Sequence, residues 1–119
     1  MMQGRSVTQA QKDWHHMLVN GVGCIACRVD TGEFNDFCSI HHIDGRTKPH
    51  AHWSVLPLCA AHHQTGGEGV ALHHNKARFE QRFGTQRELL ERCMRILTED
   101  GHDIPAAFLA WHDGEGIEA

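Results

Sequence analysis

Residues 38–63 read CSIHHIDGRTKPHAHWSVLPLCAAHH, and the fold depends on how this stretch is divided. Phe37 through Ile43 has the alternation and β-branched content of a short strand, and it carries the pair His41-His42. Asp44-Gly45-Arg46 signals a turn, and residues 46–50 form a polar loop containing Pro49. Trp53 through Leu56 predicts a second strand, and Pro57-Leu58 leads into a helix starting at Cys59. The order is strand, loop, strand, helix, with a second histidine pair, His62-His63, in the helix start.

The cysteines extend this reading upstream. There are 5 of them, an odd number, and Cys24-Ile25-Ala26-Cys27 is a CxxC inside a glycine-bearing turn. Two thiolates at that spacing can grip one tetrahedral ion at about 2.3 Å each. A redox dithiol has the same spacing, but no βαβ pattern surrounds this one. Cys59-Ala60-Ala61-His62 supplies a matching CxxH, so Cys24, Cys27, Cys59 and His62 are expected to hold a structural zinc. Such a closed site couples metal binding to folding. Cys38 and His41 make a competing CxxH, although the first tetrad is already complete without Cys38.

Composition bounds the rest. A chain of 119 residues suits one domain with a modest core, for which a metal staple is useful. No apolar run is long enough to cross a bilayer and the N-terminus lacks a signal-peptide core, which predicts a cytoplasmic protein. The formal net charge is −4, yet all 11 Lys and Arg fall in residues 1–98 against nine acids. Residues 99–119 carry six acids and no base. The mildly basic body is weak support for binding nucleic acid. The 12 histidines are the stronger signal, because ten sit in adjacent or next-but-one pairs.

Flanking elements follow from caps and periodicity. Residues 1–7 read as a flexible start. Thr8 with Gln11 forms a capping box ahead of Ala10, Trp14, Met17 and Leu18, predicting a helix that ends at Asn20-Gly21. His15 and His16 are expected at the surface. Residues 30–36 and 64–69 read as turns. Val70-Ala71-Leu72 predicts a short extended segment presenting His73 and His74. Asn75 caps a helix over residues 76–83 with Phe79 and Phe83 as anchors, and Thr85 with Glu88 opens another. Cys93 falls on the apolar face of that last helix as a buried thiol. Residues 104–111 predict a final short helix, and 112–119 read as disordered.

A histidine has a pKa near neutrality, so it can take a proton from water or, kept neutral, bind a divalent ion. Phosphodiester hydrolysis needs an activated water, a cation for the developing charge, and help for the leaving oxygen. Adjacent residues on a strand face opposite ways, so His41 and His42 share a site only at a twist, a bulge or a cleft edge.

The set Cys24-Ile25-Ala26-Cys27, Ile40-His41-His42-Ile43, Leu58-Cys59-Ala60-Ala61-His62-His63, Val70-Ala71-Leu72-His73, Phe79 and Phe83-Gly84-Thr85-Gln86 resembles the HNH nucleases. Within them it is most similar to the phage Ref-type, RecA-dependent DNA nucleases, over about residues 12–97. The resemblance implies an α+β fold, a small zinc-stabilised ββα-metal (HNH, treble-clef-like) domain with flanking helices. That domain would occupy residues 1–98, followed by an acidic extension over 99–119. It implies a metal-dependent DNA endonuclease acting on RecA-bound DNA in recombination, encoded by a phage or prophage and working in the bacterial host. His42 matches the general base. His41, His63 and His73 match ligands of a catalytic divalent metal (Mg, Mn or Zn), and His52 takes a supporting place. The middle Asn of the HNH pattern is missing, with Ser54 lying about there, as in Ref-type members. The implied partners are DNA and a RecA filament, with no membrane. The alternative is a non-catalytic zinc-binding adaptor for nucleic acid or protein.

Overall fold

Thr8 accepts from the Gln11 backbone N–H while the Gln11 side chain accepts from the Thr8 N–H, which closes the expected capping box and starts helix α1 at Gln9–Gly21. Trp14 and Leu18, one turn apart, are fully buried. The structure, a computed structural model describing residues 4–118, adds α2 over Ile25–Thr31, β1 over Cys38–His42, β2 over Val55–Cys59, α3 over Lys76–Phe83, α4 over Gln86–Glu99 and α5 over Ala106–Glu118. It is an α+β arrangement in which helices pack against one two-stranded antiparallel sheet.

The register pairs Cys38 with Cys59, His41 with Leu56 and His42 with Val55. Ile43 N–H bonds the Ser54 carbonyl just beyond the ladder at 2.9 Å. Antiparallel pairs alternate between bonded and unbonded, so Ile40 and Pro57 fall at an unbonded pair. Pro57 therefore sits where its missing N–H removes nothing from the ladder. All five residues of β2 are buried, whereas β1 is only partly covered.

Three boundaries differ from the sequence expectation. The second strand lies two residues later than predicted and runs through Cys59. The helix expected to start at Cys59 is instead a π-helical turn over Ala61–Thr65. Around the CxxC, the knuckle turn opens directly into α2, because the Cys24 sulfur caps the Cys27 N–H and Gly32, at φ 77°, closes the helix. Gly23 is needed here on two counts: its φ is 72°, and a Cβ would lie 2.8 Å from the Asn35 carbonyl oxygen.

Val70 through Leu72 forms turns rather than an extended segment. At the C-terminus, helix α5 continues through Glu118, across most of the segment expected to be disordered. Its anchor is Phe108, fully buried with its ring 4.4 Å from that of Trp14 and 6.4 Å from that of Trp53. Residue 119 and residues 1–3 lie outside the described residues, and Arg5, expected in a flexible start, instead bonds the Arg46 and Thr47 carbonyls. Among the described residues no helix is long and apolar enough to cross a membrane.

Truncating a buried phenylalanine costs about 3–5 kcal/mol. Phe108→Ala is thus expected to destabilise the whole domain by that amount in denaturant titration. Phe37→Ala, at a side chain 88% exposed, should stay within about 0.5 kcal/mol of the parent.

Candidate functional site

Two groups of metal-ligating side chains form, and both were legible as residue sets. Cys24, Cys27, Cys59 and His62 place their ligand atoms within 4.8 Å of one another. Nδ1 of His62 lies 3.4 Å from the Cys24 sulfur, 3.6 Å from that of Cys27 and 3.2 Å from that of Cys59, and the Cys27 and Cys59 sulfurs are 3.9 Å apart. A tetrahedron with ordinary zinc bond lengths has sulfurs about 3.8 Å apart and sulfur to nitrogen about 3.6 Å. The four donors fit that shape. Burial pushes the Cys24 and Cys27 thiols up from their ordinary value. An ion would therefore have to displace their protons, and supply the positive charge that buried thiolates lack. Cys38 takes no part: its thiol bonds the Asn35 carbonyl at 3.1 Å, and burial pushes it up to about 12. Cys93 is fully buried in the core, as expected.

The second group is His41, His63 and His73, again within 4.8 Å. Nε2 of His63 and Nε2 of His73 are 3.1 Å apart, and the His41 ring centre is 5.3 Å and 5.2 Å from theirs. Two imidazole nitrogens on one ion stand about 3–3.4 Å apart, so this group also fits a metal. Three protein ligands leave coordination positions open, the pattern of a catalytic rather than a structural site. His74, the neighbour that competed with His73 in the sequence, is exposed and outside the group.

Local backbone explains how adjacent histidines serve different groups. Within the π-helical turn, His62 points to the cysteines and His63 to His41 and His73. Leu72 N–H bonds the His62 carbonyl at 2.8 Å and His73 N–H bonds the His63 carbonyl at 3.1 Å, which lays His73 alongside His63. On β1 the alternation of faces sends His41 to this cluster and His42 elsewhere. A cleft of about 440 Å³ resolves that separation: Ile40, His42, Arg46, His63 and His73 all line it. It takes His42 from one face of β1 and the neighbours of His41 from the other.

Hydrogen bonds around the cluster orient the rings. His41 Nε2–H donates to Gln86 Oε1 at 2.7 Å, because an amide oxygen only accepts. His41 Nδ1 then keeps its lone pair. The Gln86 amide is held in turn by Glu80, which accepts from its backbone N–H at 3.2 Å. His63 Nδ1 bonds Ser39 Oγ at 2.8 Å, which leaves Nε2 toward the cluster. Such outer partners set the tautomer of a ligating ring. Ser39 was not singled out from the sequence, and Gln86 was quoted there only within the Phe83-Gly84-Thr85-Gln86 motif, without a role. Gln86 stands in the first turn of α4 beside the Thr85 capping box, and a glutamine with only 6% exposure there is the signal.

Burial lowers His41 and His42 to about 4, and lowers His62 and His63 in the same direction. For His42 the Arg46 charge adds to burial. All four rings are thus neutral at pH 7, as a ligand or a proton acceptor must be.

The other predicted residues are placed as follows. His15 is half-buried, with its ring bonded to the His52 carbonyl at 2.8 Å. Ser54, where an Asn was missing, is fully buried and donates to Asp44 at 3.1 Å. Of the basic residues, Arg46 lines the cleft, whereas Arg28 is committed to the Gly21 and Val22 carbonyls.

One comparison with known proteins bears on this site. A family model described as "Recombination enhancement, RecA-dependent nuclease" matches residues 7–98. The match covers both groups of candidate ligands, Gln86, and the elements from α1 through all but the last residue of α4.

Removing metal with a strong chelator should abolish cooperative unfolding, and Cys59→Ala should do the same. His73→Ala, at an exposed ring, should stay within about 0.5 kcal/mol. Acid has a defined sign: the unfolded rings titrate near 6.5 and the folded His41 and His42 near 4, so the unfolded state binds more protons between those values. Their contribution is complete above pH 6.5 and is lost as pH falls toward 4. Thermal midpoints measured from pH 7 to 4.5 should fall, with a shallower slope in His41→Gln.

Proposed function

Because the chain belongs to the recombination-enhancement, RecA-dependent nuclease family, we propose that it is a metal-dependent DNA endonuclease of the HNH, ββα-metal type, cutting DNA held by a RecA filament. The nuclease role in recombination comes with the family; the residue roles are our reading. The single observation that carries it is the convergence of His42, His63 and His73 on one cleft, next to a separate Cys3His group.

In this reading the Cys24, Cys27, Cys59 and His62 zinc is structural. It holds β2, the π-helical turn and α2 together. His41, His63 and His73 would hold a divalent ion, whose chemistry there would be positive charge for the phosphoryl and leaving oxygens. An all-imidazole ligand set favours Zn or Mn over Mg. His42 accepts the proton of the attacking water, being neutral at working pH and free of the ligand group. Arg46, at the cleft wall, pairs with the DNA backbone. The strand pair β1 and β2 with the turn after it is then the ββα core, with the π-helical turn in the place of the helix start.

The test is cleavage of single-stranded, duplex and RecA-paired DNA in the presence of Mg or Mn. His42→Ala should lower the rate by about 10²–10⁴-fold while DNA binding is kept. A His42→Ala protein that cuts like the parent overturns the assignment. One tightly held zinc and an empty histidine cluster under every metal tried would favour the adaptor reading instead. Arg46→Ala should weaken DNA binding across sequences and reduce the salt slope by about one unit.

A further inference from the structure

His42 does not stand alone on its face of β1. Its Nε2 lies 2.9 Å from Nδ1 of His52, and Nε2 of His52 lies 2.6 Å from the backbone carbonyl oxygen of Arg5. A carbonyl oxygen can only accept, so His52 must carry its proton on Nε2. In a neutral ring Nδ1 then has the lone pair and accepts. The shared bond must therefore be donated by His42 Nε2–H, and the lone pair of neutral His42 is left on Nδ1. Proton positions along three groups follow from one carbonyl at the end of the chain.

The arrangement is built rather than incidental. His52 is buried, with 5% exposure, between the polar loop and β2. Its own carbonyl accepts from the His15 ring at 2.8 Å, and the next carbonyl, of Trp53, accepts from the Trp14 indole at 3.2 Å. Helix α1 thus fixes the backbone of residues 52–53. The terminal acceptor is fixed as well: Arg5 donates its N–H to the Arg46 carbonyl at 2.8 Å and its Nε–H to the Thr47 carbonyl at 2.7 Å. A Cβ on Gly4 would lie 2.7 Å from the Arg46 Cβ, so the segment fits closely against the loop.

Resting on the reading of His42 as base, we propose that His52, backed by the Arg5 carbonyl, is a positioning residue that locks His42 in its Nε2–H tautomer and makes Nδ1 the atom that accepts the proton from water. When Nδ1 takes that proton, the ring becomes a cation. Its Nε2–H already points at His52 Nδ1, so no donor or acceptor has to rearrange. A base in the wrong tautomer offers water a proton instead of a lone pair, which is why tautomer control can govern the rate.

The experiment reads tautomers directly, by long-range proton–nitrogen NMR of the full-length, zinc-loaded protein at pH 7. The signals are assigned with His42→Gln and His52→Gln. Both rings are expected as single Nε2–H tautomers. In His52→Leu the His42 ring should become a mixture, and kcat on RecA-paired DNA should fall about 10- to 100-fold with KM within about twofold. His52→Gln, whose amide oxygen can accept the same bond, should restore the single tautomer and most of kcat. A parent His42 protonated on Nδ1, or a His52→Leu protein whose His42 tautomer is unchanged, overturns the proposal. The NMR signals decide the relay even in a protein that cuts nothing, so a failed nuclease reading and a failed relay are told apart.

Discussion

The Cys24, Cys27, Cys59 and His62 tetrad is the constraint on which the site's geometry depends. It brings together three backbone segments: the first turn of α2, the last residue of β2 and the π-helical turn. The sheet has only two strands of five residues, and an isolated pair of that size is marginal in water. Pinning Cys59 at the end of β2 also pins Cys38 opposite it, and with it the register that sets His41 and His42 on their faces. A slip of one residue would exchange those two rings. It would place His42 among His63 and His73, and His41 against His52. The geometry of the tetrad thus bears on which histidine faces which group.

Electrostatics then separates the two histidine groups. No carboxylate hydrogen-bonds His41, His42, His63 or His73 among the described residues; their partners are Gln86, Ser39, His52 and one another. A carboxylate partner would favour the cationic ring; at His41 the bond to Gln86 pulls weakly that way too, and burial outweighs it. The tetrad behaves oppositely: burial raises the Cys24 and Cys27 thiols, so they keep their protons until a cation displaces them. The contrast is His112, where bonds to the Glu91 and Asp113 carboxylates outweigh burial and raise the ring's pKa. That ring belongs to α5 and to no metal group.

Much of this was legible in the sequence because ligand spacing and helix caps are local. The Thr8 and Thr85 capping boxes and the Asn75 cap each depend on residues three apart and formed as read, and the CxxC and CxxH supply their donors at that same local spacing. What was not legible depends on contacts distant in sequence. Gln86 reaches His41 across 45 positions and the Arg5 carbonyl reaches His52 across 47. The π-helical turn has no local signature in Ala61-His62-His63-Gln64-Thr65; it answers to the need to aim two consecutive rings at different groups. The order at the C-terminus was missed because the local pattern over residues 112–119 is weak, while the deciding residue, Phe108, is buried against a helix nearly a hundred positions earlier.

That last contact bears on the site as well. Helix α5 lies beyond the residues matched by the family, yet its Trp111 ring stacks on His50 at 5.1 Å with the planes 9° apart. His50 donates to Asp44 at 2.9 Å, and Asp44 also accepts from Ser54 at 3.1 Å, so this carboxylate ties the loop after β1 to the residue before β2. Burial alone would raise Asp44, but the bonds from His50 and Ser54 outweigh it and hold the carboxyl below its usual range. His52 sits inside the span closed by this clamp. Ser54 is thus a strut for the loop, and His52 engages the ring of His42. An acidic segment that looked like a trailing extension in composition is, through Phe108 and Trp111, part of what holds that loop in position.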